Sequence, residues 1–404
     1  MRDTGLLQAA LGLGSPWQVT GCDFDVSAQR LDIRLDFAAG SRFACPHCSA
    51  AACPVHDADT ASWRHLNFFQ HQAFLHARVP RIRCSACGVR KIDVPWARPG
   101  SGFTLLFEAY LMAMVSAMPV SRVAQMVGEH DTKLWRVIHY YVETARERVN
   151  AAAVTRVEID ETAARRGHNY ITLFVDIDQS RVLFATDGKD AATIERFAAD
   201  LAAHQGHADN ISEVCIDMSP AFIKGVADSL PQAEITFDRF HVIKIINQAV
   251  DKVRRGEQCE QAILKGTRYL WLRNPNSLSA RQAAQLESLP MCTLKTGRAY
   301  QIKLAFQDLY QQESPEQAAD FLKKWYFWAT HSKLPPIIEA ARTVRKHQRG
   351  ILRWFDSLIA NGLIEGINSL VQAAKAKARG YRSLRNLKAM IYLLAGKLDL
   401  QLPA

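Results

Sequence analysis

The chain has 404 residues, of which 48% are hydrophobic and 22% charged, as in a globular protein long enough for two to four domains. No stretch approaches the ~18 consecutive apolar residues of a membrane span, and no secretory signal is recognisable, so we expect a cytoplasmic protein. The formal net charge of +10 favours a polyanionic partner, although many basic enzymes bind no nucleic acid.

Two cysteine pairs predict a structural zinc site. Each pair has two intervening residues, a spacing that folds a tight turn around a metal ion. Alternating residues predict a strand over 74–83, which lets the two pairs meet. Unmetallated buried thiols are the alternative, and the paired spacing argues against them. The four predicted ligands are Cys45, Cys48, Cys84 and Cys87. The neighbouring residues that we interpret as bystanders are His47, Cys53, His56 and His65.

The next segment has the pattern of a helix-turn-helix. Residues 97–102 are a linker by composition, and a helix follows over 104–118. A short helix then stops at Gly128, and Asp131 is expected to cap a longer one. In this motif the second helix enters the major groove, although many helical hairpins bind no DNA. The candidate DNA contacts are Thr132, Lys133 and Arg136. The side chains expected inside are Leu134, Val137, Ile138 and Tyr141.

Three acidic residues follow in a pattern of strands and helices. Short β-branched and aromatic runs between 157 and 187 predict a three-stranded meander, with Asp160 at the end of its first strand. A crossover helix (192–201) leads to an apolar strand that ends at Asp217, after which Ser219 is expected to cap a helix. Glu365 lies on an amphipathic helix, on a polar flank shared with Asn368 and Gln372. Such a cluster of carboxylates is tolerable mainly when hard cations bridge it.

Two further features surround these acids. Asp238 and His241, three residues apart after another strand, predict either a capped helix start or a functional pair, and the sequence favours neither. The pattern from His241 to about residue 355 is helical throughout. The helix of Glu365 then becomes basic, and because it leads out of the proposed site we expect contacts with DNA phosphates. The basic residues are Lys375, Lys377, Arg379, Arg382, Arg385 and Lys388.

The order of Asp160, Asp217 and Glu365 on strand, strand and helix resembles the RNase H-like DDE transposases. Several short sequence motifs resemble those of one group of transposases from bacterial insertion sequences, the zinc-ribbon "ISL-three" transposases. With the cysteine pairs, the resemblance covers nearly the whole chain. The matching stretches are Ile159-Asp-Glu-Thr, Arg166-Gly-His-Asn-Tyr, Asp238-Arg-Phe-His-Val, Tyr269-Leu-Trp-Leu-Arg-Asn-Pro, Gly362-Leu-Ile-Glu-Gly-Ile-Asn-Ser-Leu and Ala378-Arg-Gly-Tyr-Arg.

The resemblance implies an α+β multidomain chain. We expect a β-rich lead-in with a zinc ribbon (1–97), a helix-turn-helix (104–150), and an RNase H-like α/β core in two parts (154–240 and 356–404). An all-α insertion (241–355) would interrupt that core. The three acids would be catalytic and would hold two Mg²⁺ or Mn²⁺ ions at a DNA phosphate, with Asp238 and His241 as auxiliary residues.

The implied activity is transposition. The protein would bind the terminal inverted repeats and the target as double-stranded DNA, cleave strands and transfer them, as a homodimer or larger assembly. It would lie in the bacterial cytoplasm, associated with the nucleoid when bound to DNA. Two alternatives remain: a domesticated, non-catalytic DNA-binding regulator, and a nuclease acting on RNA hybrids. The three acids argue against the first, and the two N-terminal modules argue against the second.

Overall fold

The computed structural model describes residues 3–165, 169–359 and 362–403. The chain divides into two compact units, Met1–Val142 with Asp399–Ala404, and Glu143–Leu398. Among the described helices, none combines the length and the apolar character needed to cross a membrane. Each unit has its own sheet.

The first unit is built on a six-stranded sheet preceded by helix α1 (Asp3–Ala10). Its strands are β1 (Trp17–Asp25), β2 (Arg30–Phe37), β3 (Arg42–Phe43), β4 (Cys53–Phe68), β5 (His71–Cys84) and β6 (Gly88–Lys91). The strand order is β1-β2-β5-β4-β3, with β6 also paired to β5. Alternate residues of β5, including Leu75 and Val79, are buried in the core, as a half-buried strand requires. The predicted strand over 74–83 is confirmed and is longer than expected.

Three helices follow in the order predicted for a helix-turn-helix. They are α2 (Leu105–Ala117), α3 (Val120–Val127) and α4 (Asp131–Glu147). The Thr104 hydroxyl accepts a hydrogen bond from the Phe107 N–H and caps α2, and Gly128 ends α3 with φ +69°, a conformation that favours glycine. The predicted cap Asp131 is instead the first residue of α4. The four side chains expected inside this motif are all buried.

The predicted linker over 97–102 is tied to these helices by a buried carboxylate. Glu108 of α2 is fully buried. It accepts hydrogen bonds from Arg98 Nε (2.9 Å), Ser101 Oγ (2.6 Å) and Tyr141 Oη (3.1 Å). A buried carboxylate is stable only with such partners. Glu108 therefore fixes the connecting segment against both α2 and α4.

The second unit contains a five-stranded sheet of order β11-β10-β7-β8-β9. Its strands are β7 (Arg156–Arg165), β8 (Asn169–Asp176), β9 (Arg181–Asp187), β10 (Glu213–Ile216) and β11 (Glu234–Phe237). The first three form the predicted antiparallel meander, and β10 and β11 are parallel to β7. The expected crossover helix is α5 (Ala192–Ala203), and α6 (Pro220–Ser229) follows β10.

One local prediction about this sheet is wrong, and another is confirmed only in part. Asp160 does not end its strand, because β7 continues to Arg165 and its polar residues pair with the start of β8; Asp160 itself lies opposite Leu173. Ser219 occupies the N-cap position of α6, but its side chain makes no capping hydrogen bond. Its backbone N–H instead donates to Asp217 Oδ1 (2.8 Å). The motif residues Arg166, Gly167 and His168 lie outside the described residues.

The chain between β11 and residue 357 is helical, as predicted. The helices are α7 (Arg239–Glu257), α8 (Arg268–Leu272), α9 (Ala280–Glu287), α10 (Lys295–Gln307), α11 (Pro315–Thr330), α12 (Pro335–Lys346), α13 (Gln348–Leu352) and α14 (Trp354–Ser357). Short 3-10 helices in this segment occupy Ala262–Leu264, Pro275–Ser277 and Asp308–Gln311, and another, Ala208–Asn210, lies between α5 and β10. Trp271 and Trp325 are buried, whereas Trp328 is 41% exposed.

The last two helices are α15 (Gly362–Lys377) and α16 (Leu384–Ala395). The apolar stripe expected on α15 is buried at Ile364, Ile367 and Val371. The basic residues do not continue along one helix, which corrects the sequence prediction. Arg379 and Gly380 have positive φ values of 55° and 92°, which end the first helix. Asn361, which opens the predicted segment, lies outside the described residues.

Replacing Glu108 by Ala leaves the partly buried Arg98 and the buried Tyr141 without their acceptor. We therefore expect a loss of about 3–5 kcal/mol in the free energy of unfolding. Urea unfolding, followed by tryptophan fluorescence, measures it. Arg122→Ala, on the exposed face of α3, serves as the control and should change stability by no more than about 0.5 kcal/mol. Equal stabilities of the two variants would contradict the structural role of Glu108.

Candidate active site and metal centre

The sheet of the first unit brings the two cysteine pairs together. Strands β4 and β5 pair antiparallel almost from end to end, so Cys84 returns to the start of β4. The ligand sulfur atoms of Cys45, Cys48, Cys84 and Cys87 all lie within 4.8 Å of one another. Four thiolates at this separation would hold a zinc ion.

The backbone prepares two of these thiols for metal binding. The backbone N–H groups of Cys87 and Ala86 lower the pKa of Cys84 to about 6, and that of Cys48 helps to lower the pKa of Cys45. Thiolates are the form that binds metal. Cys53 is also buried beside the cluster, but its sulfur donates to the Ala50 carbonyl and lies outside the group of four.

The nearby histidines interact with protein groups. His65 Nδ1 lies 2.9 Å from Thr104 Oγ1, and burial followed by the charge of Arg64 lowers the pKa of His65 to about 4. His56 Nδ1 accepts from the Arg83 guanidinium (3.1 Å). These contacts agree with the prediction that His56 and His65 are not ligands. His47, like them, lies outside the group of four.

The three residues proposed to contact DNA lie on the exposed side of α4. Thr132, Lys133 and Arg136 project away from the face that buries Leu134 and Val137. The ammonium group of Lys133 donates to Glu129 Oε2 (2.8 Å), one helical turn earlier. The α4 surface therefore offers one exposed arginine, and a lysine already engaged in a surface ion pair.

Helix α15 lies directly on strand β7 in the second unit. Asn368 Nδ2 donates to Asp160 Oδ2 (2.7 Å), and Gln372 Nε2 donates to Thr162 Oγ1 (2.7 Å). One turn further, Lys375 Nζ donates to the Ala163 carbonyl (2.5 Å). Two members of the predicted polar flank, Asn368 and Gln372, therefore attach the helix of Glu365 to the strand of Asp160.

A buried acid that the sequence did not single out lies beside Asp160. Glu158 is 2% exposed, and burial together with the charges of Asp238 and Asp160 raises its pKa to about 8. The charge of Glu365 adds to this shift. The Ile364 backbone N–H offsets part of the rise in the Glu158 pKa, but it makes no hydrogen bond of normal geometry to either Glu158 carboxylate oxygen. Glu158 thus lies within electrostatic reach of both Asp160 and Glu365.

Asp160 and Asp217 both lie within electrostatic reach of His241, which pairs with Asp238. His241 Nδ1 is 2.6 Å from Asp238 Oδ2, while Asp238 Oδ1 accepts from the Phe240 N–H and caps α7. The capped helix start is therefore confirmed, and a functional role of the pair stays a prediction. Burial lowers the pKa of His241, but the Asp238 hydrogen bond and the charges of Asp238, Asp160 and Asp217 raise it overall.

The three candidate acids are neighbours without a closed ligand set. Burial raises the pKa of Asp160, whereas Glu365 is exposed on α15. Among the described residues, one group of three or more Cys, His, Asp or Glu has all its ligand atoms within 4.8 Å of one another, and it is the tetracysteine cluster. The carboxylate oxygens of Asp160, Asp217 and Glu365 do not all lie within 4.8 Å of one another.

The residues present nevertheless fit a hard divalent cation. Both Glu158 carboxylate oxygens and Asn368 Oδ1 are buried, and no donor among the described residues makes a hydrogen bond of normal geometry to them. Buried oxygen acceptors without partners are rare in folded proteins and call for an unseen donor or ion. Carboxylate and amide oxygens are the ligands that Mg²⁺ and Mn²⁺ prefer.

The basic residues that follow have different surroundings. Arg379 and Arg382 are exposed, and Lys377 ends α15 at the surface. Further along, Arg385 pairs with Glu143 (2.7 Å) and Lys388 with Asp187 (3.2 Å). The first three are therefore better placed for phosphate contacts than the last two.

Comparison with known proteins identifies the family. The family model described as a transposase (DDE, ISL3) matches residues 157–391, well over half of the chain. The chain belongs to the ISL3 family of transposases. Two further models cover the N-terminal unit of this transposase: the helix-turn-helix domain of transposase family ISL3 (residues 92–142) and the zinc-finger of transposase IS204/IS1001/IS1096/IS1165 (residues 41–87). The zinc-ribbon and helix-turn-helix predictions are confirmed.

Curated relatives that the chain resembles are also transposases of insertion sequence elements. The transposase for insertion sequence element IS1557 from Mycobacterium tuberculosis is 28% identical over 437 aligned residues, which cover 98% of this transposase and 96% of that protein. The transposase for insertion sequence element IS1001 from Bordetella parapertussis is 27% identical, covering 84% of this transposase and 85% of that protein.

Sequence reasoning missed Glu158, although a signal was present. In a strand, residues two apart share a face, so Glu158 and Asp160 both point towards α15. Glu161, on the opposite face, was missed as well. Burial and then the charges of Asp217 and Asp160 raise the pKa of Glu161, although the charge of Lys189 lowers it in part.

Replacing Cys84 by Ser removes one of four thiolates from the zinc site. We expect the full-length variant to lose its single equivalent of zinc, as measured by elemental analysis, and residues 1–95 to become sensitive to protease. Cys53→Ser is the matched control, because Cys53 is buried beside the cluster without belonging to it, and it should retain the metal. A wild-type protein purified without chelator yet free of zinc would refute the site.

Proposed function

We propose that this transposase binds the terminal inverted repeats of an insertion sequence and catalyses metal-dependent DNA strand cleavage and strand transfer. The observation that carries the proposal is the docking of α15 on β7 through Asn368 and Asp160. The same helix carries Glu365, whose charge acts on Glu158 beside Asp160, and this supports its assignment to the site. Family membership supports the same activity.

Asp160, Asp217 and Glu365 are proposed as the residues that hold Mg²⁺ or Mn²⁺. When bound, such ions lower the pKa of water and stabilise charge on the oxygens of a reacting phosphate. The protein orients two of the acids through fixed donors: the Asn368 amide for Asp160 and the Ser219 backbone N–H for Asp217. Asp238 and His241 are auxiliary residues, in which Asp238 fixes the imidazole at the edge of the site.

The architecture follows from the same proposal. The sheet of the second unit, with residues 154–240 and 356–404, is proposed as an RNase H-like core, and residues 241–355 as its all-α insertion. The parallel strands β10, β11 and β7 beside an antiparallel meander support this assignment. Residues 1–97 and 104–150 are proposed as the zinc-binding and helix-turn-helix domains.

The partners are proposed from the chemistry of transposition. Double-stranded DNA would contact Thr132, Lys133 and Arg136 on α4. It would also contact the basic residues in the last turn of α15 and just after it. The latter are Lys375, Lys377, Arg379 and Arg382. Two element ends must be joined, so we propose a homodimer or larger assembly. The proposed location is the bacterial cytoplasm, at the nucleoid when DNA is bound.

Glu365→Gln tests the catalytic site, because it preserves size while removing the charge that a hard cation needs. The variant should fold, keep zinc and bind element ends, yet cleave a labelled inverted-repeat duplex in Mg²⁺ roughly 10³-fold more slowly. Asp160→Asn and Asp217→Asn should behave alike, and combining them should add little, since such residues act as one unit. Cleavage with and without Mg²⁺ or Mn²⁺ is the measurement.

The control is Glu195→Gln, which removes an exposed carboxylate from α5 and should leave cleavage unchanged. Cutting by Glu365→Gln at the wild-type rate would exclude Glu365 from the site. A wild-type protein that binds its own ends but never cuts them would instead favour the non-catalytic regulator.

A second test concerns α4. Replacing Lys133 and Arg136 by Ala should weaken binding to the element end and reduce the salt dependence by about 0.9 per lost phosphate contact. Arg281→Ala, an exposed cation on α9, is the control. Unchanged footprints and salt slopes would place the reading surface elsewhere, with the zinc module as the next candidate.

A further inference from the structure

Helix α7 carries an unassigned row of polar and basic side chains. Starting from His241, the residues Lys244, Gln248, Lys252 and Arg255 recur at intervals of three and four, which places them on one face of the helix. The last four are exposed, whereas Val242, Ile246, Val250 and Val253 on the opposite face are buried in the core. We refer to His241, Lys244, Gln248, Lys252 and Arg255 as the α7 track.

The α7 track borders a groove that is strongly basic. The groove has a volume of about 590 Å³ and lies between α7 and α8. Its charged lining residues are Lys244, Asp251, Lys252, Arg254, Arg255 and Arg268. Five cations thus face one carboxylate, an excess of four positive charges. Asp251 is surrounded by Arg254 (2.9 Å), Arg255 (3.4 Å) and Arg268 (3.7 Å), so a single acid is shared among three guanidinium groups.

The remaining cations of the groove are weakly engaged. Lys252 lies 3.6 Å from Glu339 in a pair whose side chains are 53% and 72% exposed, a type of contact that contributes little. Beside the groove, Tyr269 of α8 is 58% exposed, with the guanidinium groups of Arg268 and Arg273 each 5.7 Å from its ring centroid. Unneutralised cations beside an exposed aromatic ring are typical of surfaces that bind nucleic acid.

The track begins at the candidate active site. Asp238 caps α7 and binds His241, whose charge state responds to Asp160 and Asp217. The fourteen steps from His241 to Arg255 span about 21 Å at a rise of 1.5 Å per residue. This length corresponds to about six base pairs of duplex DNA at 3.4 Å each.

We propose that the α7 track and its groove bind the phosphate backbone of duplex DNA that leaves the active site, as a DNA contact separate from α4 and from the end of α15. This inference rests on the proposed function, because it takes the acidic site to be the point of DNA cleavage. The helical segment 241–355 then serves as a second DNA-binding surface, which holds the duplex in line with the reacting phosphate.

Gln248 permits a test in both directions, since it is an exposed neutral residue in the middle of the track. Gln248→Lys should add one phosphate contact and steepen the dependence of log K on log salt by about 0.9, whereas Gln248→Glu should make it shallower. For Gln248→Lys this equals about a 3.5-fold larger loss of affinity between 50 and 200 mM salt. The matched controls are Gln311→Lys and Gln311→Glu, at an exposed position away from the groove.

The probe is a labelled duplex taken from the DNA that bounds the gene, covering one end of the element and its flank. Binding by the full-length protein is measured in EDTA, so the result is independent of strand cleavage. A photo-crosslinking amino acid at Gln248 provides a second readout and should label this duplex, whereas the same group at Gln311 should not.

Equal salt slopes for the Gln248 and Gln311 variants, with no crosslink from Gln248, would overturn the proposal. Preferential crosslinking to an RNA duplex of the same sequence, with the DNA slopes unchanged, would also overturn it. Failure of the proposed function is a separate result: the wild-type protein would bind the duplex through the track and still not cut it in Mg²⁺.

Discussion

The hydrogen bond from Asn368 to Asp160 is the contact on which the candidate active site depends. It joins residues 208 positions apart, and a hydrogen bond to a charged partner contributes about 1.5–3 kcal/mol. The neighbouring bonds from Gln372 and Lys375 fix α15 along β7, while Ile364, Ile367 and Val371 bury its apolar side. Because the helix docks in this register, the charge of Glu365 acts on Glu158 of the sheet.

The same contact concentrates negative charge. Glu158 and Asp160 share the face of β7 that α15 covers, and neither can be fully solvated there. The fold tolerates the resulting repulsion only if protons or cations compensate it, which is reflected in the raised pKa values of both carboxyl groups. Under the proposed function a divalent cation would supply this compensation, because buried oxygens of Glu158 and Asn368 lack hydrogen-bond partners among the described residues. Stability and catalysis would then depend on the same ions.

The two units use metal and charge in different ways. In the N-terminal unit, four soft thiolates close a site whose purpose is to hold two turns of backbone together. Its buried Glu108 performs a comparable task for the helix-turn-helix by fixing the segment 97–102. In the second unit the acids proposed as metal ligands form no closed set, and Glu365 is exposed, as a site that admits DNA would require. A basic surface along α7 extends from this open site.

Local patterns in the sequence determined much of this protein. Cysteine spacing predicted the zinc site, apolar periodicity predicted the helices of the helix-turn-helix and α15, and β-branched runs predicted the meander. These signals are local, because capping, turn formation and amphipathicity depend on residues within a few positions of one another. The resemblance of several short motifs then indicated the family.

Tertiary structure decided the rest. The sequence did not predict that β7 continues past Asp160, because that extension depends on pairing with β8 rather than on the polarity of residues 161–165. It did not single out Glu158, whose burial requires α15 to return from more than 200 residues away. The break at Arg379 and Gly380 was likewise missed, although Gly380 is a local signal for the end of a helix. Burial and charge proximity are properties of the packed chain, and only packing could assign them to particular carboxylates.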